Sequence, residues 1–214
     1  MGPITFTLVG ILAALLVVVL MQLFKKSSPP PSNSAPAEDL ANLKPQDARV
    51  GDVISIAGAG DNMSDLDFNS DRAYWFQAGS RRWFDLTGPY RERRVALRVE
   101  TGEEVSVALA NDPKKITLED LELSEDDLAQ MDERQNTADY FEFDNHNWLY
   151  VLSREASVTR SDQPQPVGFY CWIFREQDGS GLIMIRKEES EPFAVTRYNG
   201  IPAGDVTVYR GART

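Results

Sequence analysis

The sequence predicts a mainly β domain, built as an antiparallel barrel or sandwich, behind one N-terminal transmembrane helix. From Val50 onward, short runs of alternating apolar and polar residues follow one another. Glycine-rich turns separate these runs, which is typical of antiparallel β folds. A third observation, an uncharged apolar run at the start of the chain, predicts the membrane helix.

The apolar run extends from Ile4 to Phe24 without a charged residue and is followed by Lys25 and Lys26. A helix of this length covers the roughly 30 Å of a bilayer's hydrocarbon core. The alternative is a cleaved secretory signal, but the run is longer than a signal core of about 7–15 residues and no basic residue precedes it. We therefore expect residues 1–26 to be an uncut anchor.

The position of the positive charge predicts the orientation of this anchor. Because Lys25 and Lys26 lie on its C-terminal flank, the N-terminus should lie outside and the large domain in the cytoplasm of a bacterium, at the inner (plasma) membrane. Cys171 is the only cysteine, so an internal disulfide is excluded, in agreement with a reducing compartment. We interpret Cys171 as a small buried apolar residue.

Composition divides the rest of the chain into a linker and a domain. Residues 27–39 are rich in proline and serine and predict an extended linker, and residues 40–214 are long enough for one domain with a core. Two of the 22 basic residues lie in the anchor, so the remainder has 20 basic against 33 acidic residues, a net charge of −13. This charge disfavours nucleic acids and anionic lipid surfaces, so besides the bilayer itself we expect a protein partner.

Three hairpins are predicted within the domain. Val95, Leu97 and Val99 alternate with polar or small residues before the turn Thr101-Gly102, and a second alternating run follows from Val105 to Leu109. The other two hairpins surround Ala78-Gly79-Ser80 and Asp178-Gly179-Ser180-Gly181. Further strands are predicted at Val53 to Ile56, Tyr140 to Phe143, Trp148 to Leu152, Phe193 to Tyr198 and Val206 to Tyr209. An ancient duplication into two similar halves is one interpretation of this succession.

Residues 117–135 interrupt the strands and predict a short acidic helical insertion. Two capping patterns, Thr117-x-x-Asp120 and Ser124-x-x-Asp127, can each begin a helix. An apolar stripe is formed by Leu121, Leu128 and Met131. The acidic residues of this segment are either a solvated face or a docking surface for a basic partner, with Glu125, Asp126 and Asp127 as candidates.

The hairpin around Gly79 is aromatic on both faces. Tyr74 and Phe76 share one face of the strand, and Trp75 lies on the other. One set is either buried in the core or exposed as a peptide-docking or self-association surface. Trp75 and Trp83 are therefore candidate interaction residues.

One spacing suggests a metal site. The alternating oxygen ligands Asp65, Asp67, Asn69 and Asp71 can surround a calcium ion if this segment curls into a loop. A calcium loop also needs a glycine and a bidentate glutamate, which this segment lacks, so the alternative is a polar surface loop. No other cofactor is indicated, since the chain has no phosphate-binding glycine loop and only one histidine, His146, in a predicted turn.

Several of these segments together resemble the bacterial domain-of-unknown-function family numbered 4178. The similar segments are Gly51-Asp52-Val53, Trp83 to Leu86, Val95 to Glu100, Phe169 to Phe174, DGSG with Leu182 to Arg186, Tyr198 to Ile201 and Val206 to Tyr209. Lys187 departs from the pattern, which has an aromatic residue after the DGSG strand. The resemblance implies an accessory role at the bacterial envelope and supplies no catalytic residues.

The sequence therefore supports three functional hypotheses. The first is a non-catalytic, membrane-anchored interaction or accessory module on the cytoplasmic face, with an envelope or membrane-stress function as one interpretation. It follows from the combination of an anchor, a linker and an acidic β domain. The second is a β domain that binds a small ligand in a barrel mouth. The third is an enzyme that uses carboxylates alone, with Asp65 and Asp67 or Asp85 and Glu100 as the pair.

Overall fold

The computed structural model describes residues 42–112 and 114–211. The predicted anchor within residues 1–26, with Lys25 and Lys26, and the linker at residues 27–39 lie outside these described residues. Within them, no helix combines the length and the apolar character that crossing a membrane requires.

Alternating burial along the chain produces twelve strands in the described residues. The strands are β1 (Val53–Ile56), β2 (Leu66–Asn69), β3 (Arg72–Ala78), β4 (Arg81–Tyr90), β5 (Arg93–Thr101), β6 (Val105–Ala110), β7 (Tyr140–Phe143), β8 (His146–Arg160), β9 (Gln163–Glu176), β10 (Leu182–Lys187), β11 (Ala194–Ile201) and β12 (Val206–Tyr209). One α-helix, α1 (Glu125–Arg134), lies between β6 and β7. Short 3-10 helices occupy Pro45–Asp47, Asp61–Met63 and Ala203–Asp205.

Two four-stranded meanders close into an eight-stranded antiparallel barrel. β3, β4, β5 and β6 pair in chain order, as do β8, β9, β10 and β11. The meanders join through β3 with β8 and β6 with β11, so the ladder has no open edge between them. Because both halves have the same strand order, the topology agrees with two similar halves, while their common ancestry stays a prediction.

All three predicted hairpins are present, as β3–β4, β5–β6 and β9–β10. The strands predicted at Val53 to Ile56, Tyr140 to Phe143 and Val206 to Tyr209 have the predicted bounds. β8 is much longer than predicted, because its first residues pair with β7 and its last residues pair with β3 along the same edge. The mainly β prediction is confirmed, and the structure selects the barrel over the sandwich.

The barrel interior is one of three hydrophobic clusters. Its buried members are Phe76, Ala78, Trp83, Ala108, Val158, Phe169, Cys171, Ile173, Met184 and Tyr198. Where one strand contributes several members, as Phe169, Cys171 and Ile173 of β9 do, they are alternate residues, because successive side chains point to opposite faces of a strand. Cys171 is fully buried there and burial raises the pKa of its thiol, as expected for an inert apolar position.

Two layers cover opposite parts of the barrel's outer surface. A separate three-stranded sheet in the order β12-β1-β2 packs on the outer face of β4, β5 and β6, where Leu86, Leu97 and Leu109 are buried. The other layer is α1 and the segment before it, which pack on Trp172 and Ile183 of the second meander. Both meanders therefore also bury apolar residues on their outward faces.

Asp52 joins the two ends of the described domain beside the three-stranded sheet. Its carboxylate accepts hydrogen bonds from the amide of Arg49 at 2.8 Å, the guanidinium of Arg210 at 2.6 Å and the amide of Gly211 at 3.2 Å. The side chain is 2% exposed. The Gly51-Asp52 motif thus has a structural role that ties β1 to the chain after β12.

The helical insertion is confirmed, with shorter bounds than predicted. Ser124 and Asp127 form the predicted capping box, and the helix ends at the left-handed residue Gln135. Thr117 and Asp120 make the same reciprocal hydrogen bonds, but they stabilise a turn rather than a helix. The predicted apolar stripe of Leu121, Leu128 and Met131 is buried against the barrel.

Candidate functional site: a charged cavity in the barrel mouth

One end of the barrel holds a cavity of about 620 Å³. Neighbouring strands of the barrel run in opposite directions. The first residues of β3, β5, β9 and β11 therefore lie at the same end as the last residues of β4, β6, β8 and β10. The lining side chains come from β3, β4, β5, β8, β9, β10 and β11, from the β8–β9 turn and from the residue after β10. They are Arg72, Tyr74, Phe76, Asp85, Thr87, Ala96, Arg160, Asp162, Gln163, Arg186, Glu188, Thr196 and Tyr198.

Asp85 lies at the bottom of this cavity. The residue is 6% exposed, and its Oδ2 accepts a hydrogen bond of 2.7 Å from the phenol of Tyr198. Its Oδ1 is buried and has no hydrogen-bond partner among the residues that the structure describes. Burial raises the pKa of the Asp85 carboxyl, although the charges of Arg98 and Arg186 and the Tyr198 hydrogen bond oppose this shift.

Arg98 supplies a positive charge beneath Asp85. It is 3% exposed and lies opposite Asp85 in the β4–β5 ladder. Its guanidinium lies 4.3 Å from the ring centre of Trp83 and 5.2 Å from that of Tyr198. Such cation–π contacts hold a buried guanidinium in place where water cannot solvate it. Within residues 42–112 and 114–211, the Nη2 atom has no hydrogen-bond partner, although it lies 3.9 Å from the carboxylate of Glu100.

Arg186, like Arg98, has a guanidinium whose hydrogen-bonding capacity is only partly used. Its Nε is buried and finds no hydrogen-bond partner in the described part of the chain. Its guanidinium lies 5.6 Å from the ring centre of Phe76 and 5.9 Å from that of Phe169. The neighbouring Arg160, in contrast, is paired with Glu188 at 3.2 Å. Within the described part of the chain, no carboxylate forms a salt bridge with Arg186.

Tyr198 connects these charged groups. The buried phenol donates to Asp85 and also lies beside the Arg98 guanidinium. Burial and the adjacent Asp85 carboxylate raise its pKa above the usual range, so the phenol stays protonated at physiological pH. Tyr198 is therefore a fixed hydrogen-bond donor to one oxygen of Asp85, a residue that lines the cavity.

The two tryptophans predicted as interaction residues occupy opposite environments. Trp83 is 3% exposed and stacks on Phe76 inside the barrel at 5.2 Å, so its prediction as a docking residue is wrong. The cause is the closed barrel, which turns this face of the hairpin inward. Trp75 is 48% exposed on the outer surface, where it lines a cleft of about 430 Å³ with Phe84 and Thr159.

The acidic face of α1 is partly engaged in structural contacts. Glu125 and Asp126 are exposed, whereas Asp127 caps the helix through Ser124. Asp132 lies against the barrel, where it accepts hydrogen bonds from the Tyr170 phenol at 2.6 Å and from the hydroxyl of Ser153. Asp132 is thus a link between the helix and β8 and β9 rather than a solvated charge.

The proposed calcium loop is not a loop. Leu66–Asn69 forms β2, a strand that the sequence interpretation missed, so Asp67 and Asn69 lie on an extended backbone. Asp65 accepts a hydrogen bond from the amide of Gly58 at 3.0 Å, and Asp71 forms a salt bridge with Arg94. The curled geometry is wrong because this segment pairs with β1. Among the described residues, no three His, Cys, Asp or Glu side chains group closely enough for a metal ion.

The two carboxylate pairs considered for catalysis have other partners. Glu100 is bound by Arg81 through two hydrogen bonds of 2.7 Å and 2.8 Å, so it is not placed to exchange a proton with Asp85. Asp65, directly before β2, and Asp67, on β2, are both exposed. His146 begins β8 after the Asp144-Asn145 turn, and its Nδ1 lies 2.8 Å from Glu176 in a cleft away from the barrel mouth.

Sequence reasoning named Asp85 only as one half of an acid pair and did not find Arg98, Arg186 or Tyr198. A signal was present, because polar residues occupy inward positions of apolar strands in Trp83-x-Asp85 and Met184-x-Arg186. These polar residues occupy the same face of each strand as the inward apolar residues, where an unpaired charge is costly. Their convergence follows only from barrel closure.

Comparison of the chain with protein-family models, with curated proteins and with solved structures finds no match in any of the three. The resemblance to the family numbered 4178 therefore stays a prediction. The functional argument rests on the geometry of the barrel mouth.

Proposed function

We propose that this chain is a non-catalytic, membrane-anchored binding protein whose barrel binds a small polar molecule in its mouth. The observation that carries this proposal is the pair of buried, incompletely hydrogen-bonded polar groups, Asp85 Oδ1 and Arg186 Nε, at a cavity of about 620 Å³. Cavities of roughly 300–1,000 Å³ with a few convergent polar groups are typical of small-molecule sites.

The cost of these buried charges supports a binding role. A buried polar atom without a partner costs on the order of 1–3 kcal/mol. Hydrophobic residues at positions 85 and 186 would avoid that cost and continue the apolar interior. A ligand that bonds to both groups offsets it, which explains why charged residues occupy these core positions.

The chemistry of the lining supports binding rather than catalysis. The cavity presents arginines, which do not exchange protons near neutral pH, and a phenol whose pKa lies above its usual range. Asp85 is committed on one oxygen to Tyr198. This set orients and neutralises a bound molecule without a nucleophile paired to a base.

The location in the proposal comes from the sequence. The apolar run of residues 4–24, flanked by Lys25 and Lys26, anchors the chain in a bacterial inner membrane with the domain in the cytoplasm. Residues 27–39, rich in proline and serine, then connect the anchor to the domain. Such a protein would sense or store its ligand at the envelope.

A cavity-filling substitution tests the binding proposal. Full-length protein in detergent is screened by thermal shift and native mass spectrometry against carboxylic acids, amines, amino acids, sugars and nucleotides. We expect one class to stabilise the protein and Ala96→Leu, which fills the cavity, to abolish the effect. Ala57→Leu is the matched control, since Ala57 is exposed far from the lining. Equal binding by both variants, or no stabilisation by any class, would reject the proposal.

A second candidate function, protein docking, is favoured by one observation, the exposure of Trp75 beside a cleft. Aromatic residues with large exposed surface are enriched at the centres of interfaces. The test is crosslinking in native membranes with a photoreactive group at Thr159, comparing Trp75→Ala with the exposed control Tyr209→Ala. We expect a specific crosslinked partner that only Trp75→Ala removes. Identical crosslinks in both variants would contradict this function.

A further inference from the structure

We propose that the ligand of the barrel mouth is a small zwitterion of the amino-acid class, with its ammonium group on Asp85 and its carboxylate on Arg186. This inference rests on the proposed binding function and adds the chemical class and the orientation of the ligand. The juxtaposition that carries it is a buried free acceptor and a buried free donor in one cavity.

Asp85 determines the group at the bottom of the cavity. Its Oδ2 is occupied by the Tyr198 phenol, so Oδ1 is the oxygen left for a ligand, and the residue is 94% buried because only 6% of it is exposed. Oδ1 can only accept when the carboxyl is ionised, so the ligand must bring an N–H or O–H donor. An ammonium group also adds a positive charge beside the carboxylate, which a neutral donor does not.

Arg186 determines the opposite group. Its guanidinium is held near the rings of Phe76 and Phe169, and its Nε has no hydrogen-bond partner. Arg160 is already neutralised by Glu188. A carboxylate matches the planar fork of a guanidinium and can form two parallel hydrogen bonds with it.

The charge balance of the cavity excludes ligands with a large net charge. The lining contains three arginines and three carboxylates: Arg72, Arg160, Arg186, Asp85, Asp162 and Glu188. A polyanion such as a nucleotide would meet the three carboxylates, and a polyamine would meet the three arginines. A molecule with no net charge but two separated charges is complementary to both sets.

The walls leave room for a ligand side chain. Tyr74 and Phe76 present apolar ring surface, and Thr87 and Thr196 present hydroxyls. A volume of about 620 Å³ exceeds what an amino-acid backbone needs, so the remaining space accommodates a side chain and water.

The experiment uses isothermal titration of the full-length protein in detergent with the twenty common amino acids. The tightest binder is then compared with its des-amino carboxylic acid and its decarboxylated amine. We expect the zwitterion to bind at least about ten-fold more tightly than either analogue, because each lost partner leaves a charged group unpaired.

Two conservative variants assign the ends of the ligand. Asp85→Asn should weaken binding of the amino acid and the amine but leave that of the carboxylic acid unchanged. Arg186→Gln should weaken binding of the amino acid and the carboxylic acid but leave that of the amine unchanged. Circular dichroism and the melting temperature of each ligand-free variant confirm that it is folded.

The possible failures are distinguishable. If the des-amino acid binds as tightly as the zwitterion and Asp85→Asn has no effect, the zwitterion inference is overturned while ligand binding stands. If a molecule of another class binds and Ala96→Leu abolishes its binding, the zwitterion inference is likewise overturned while ligand binding stands. If no molecule shows binding that Ala96→Leu abolishes, the proposed function fails together with this inference.

Discussion

The phenol of Tyr198 donates a hydrogen bond of 2.7 Å to Asp85 across the interior of the barrel. The two residues lie 113 positions apart on β11 and β4, which belong to different meanders and are not neighbours in the ladder. The bond therefore links the two halves of the barrel through its core rather than through its wall. It also fixes the Asp85 carboxyl through one oxygen, Oδ2, and leaves Oδ1 outside this bond.

Asp85→Asn should stabilise the ligand-free protein at neutral pH. Burial raises the pKa of this carboxyl, so the folded protein resists ionisation that the unfolded chain undergoes freely. The stability that the protonated group contributes is complete below the ordinary Asp pKa of about 3.9 and falls as the pH rises towards the raised folded pKa. Urea unfolding from about pH 3 to about pH 8 measures the free energy of unfolding of both proteins, because this range begins below the ordinary Asp pKa and ends well above it.

We expect the variant and the parent protein to have similar stability at the acidic end and the variant to be more stable at the neutral end. Asp67→Asn is the matched control, because Asp67 is exposed on β2. A variant that is less stable than the parent at neutral pH would show that Arg98 and Arg186 outweigh the cost of burial.

The two tryptophans of the β3–β4 hairpin should differ strongly in their contribution to stability. Trp83→Ala removes a buried ring that stacks on Phe76 and contacts the Arg98 guanidinium, and it should cost about 3–5 kcal/mol. Trp75→Ala removes a ring that is 48% exposed and should cost about 1 kcal/mol or less. Denaturant unfolding of both variants measures the contrast, and equal losses would contradict the inward and outward assignment.

Gly88 should be required for the three-stranded sheet to pack on the barrel. A Cβ at this position would lie 2.1 Å from the carbonyl oxygen of Asn69 and 2.6 Å from the ring of Phe68 on β2. Gly88→Ala should therefore displace β2 and destabilise the protein by about 2 kcal/mol or more. Gly168→Ala is the matched control, since no atom lies within 4 Å of its added Cβ. Thermal unfolding compares them, and a Gly88→Ala protein as stable as the control would contradict this packing.

Asp132→Ala should loosen α1 from the barrel. The substitution removes the acceptor of the Tyr170 phenol and of the Ser153 hydroxyl, which together should cost about 1–3 kcal/mol. Hydrogen exchange of the α1 amides should rise more than that of the β4 and β5 amides. The exposed neighbour Glu133→Ala provides the control. Uniform exchange changes across the domain would argue against a local link.

Tyr170 offers a pH test of the same link. Burial and the hydrogen bond to Asp132 raise the pKa of Tyr170 to about 12. Because the unfolded phenol ionises at about 10, the stability that Tyr170 contributes is complete below pH 10 and is lost as the pH rises through 12. Phenolate absorbance should show a late-titrating tyrosine that Asp132→Ala shifts to lower pH. A titration curve unchanged by the substitution would contradict the assigned contact.

Ser124→Ala should test the capping box that begins α1. Loss of an N-cap side chain typically costs about 1 kcal/mol. The control Gln130→Ala, at an exposed position in the same helix, should change stability by a few tenths of a kcal/mol. Equal effects in urea unfolding would indicate that burial of Leu128 and Met131 alone holds the helix.

Local features of this protein were readable from the sequence. The hairpins around Gly79, Gly102 and Gly179, the capping box at Ser124 and the apolar stripe of α1 depend on neighbouring residues. β2 was missed because its carboxylates resemble the ligands of a calcium loop, whereas pairing with β1 selects an extended backbone. The opposite environments of Trp75 and Trp83 also needed the closed barrel, because alternation alone does not say which face points inward.

The sequence by itself determined the class of the domain, its turns, its helix cap and the apolar and acidic character of its segments, because these properties arise from interactions between residues close in the chain. The tertiary structure alone decided that two meanders close on each other and that Arg98, Arg186 and Tyr198 surround Asp85 inside the barrel. The physical reason is that strand register and barrel closure depend on pairing between distant segments. Only that pairing turns four scattered polar residues into a site.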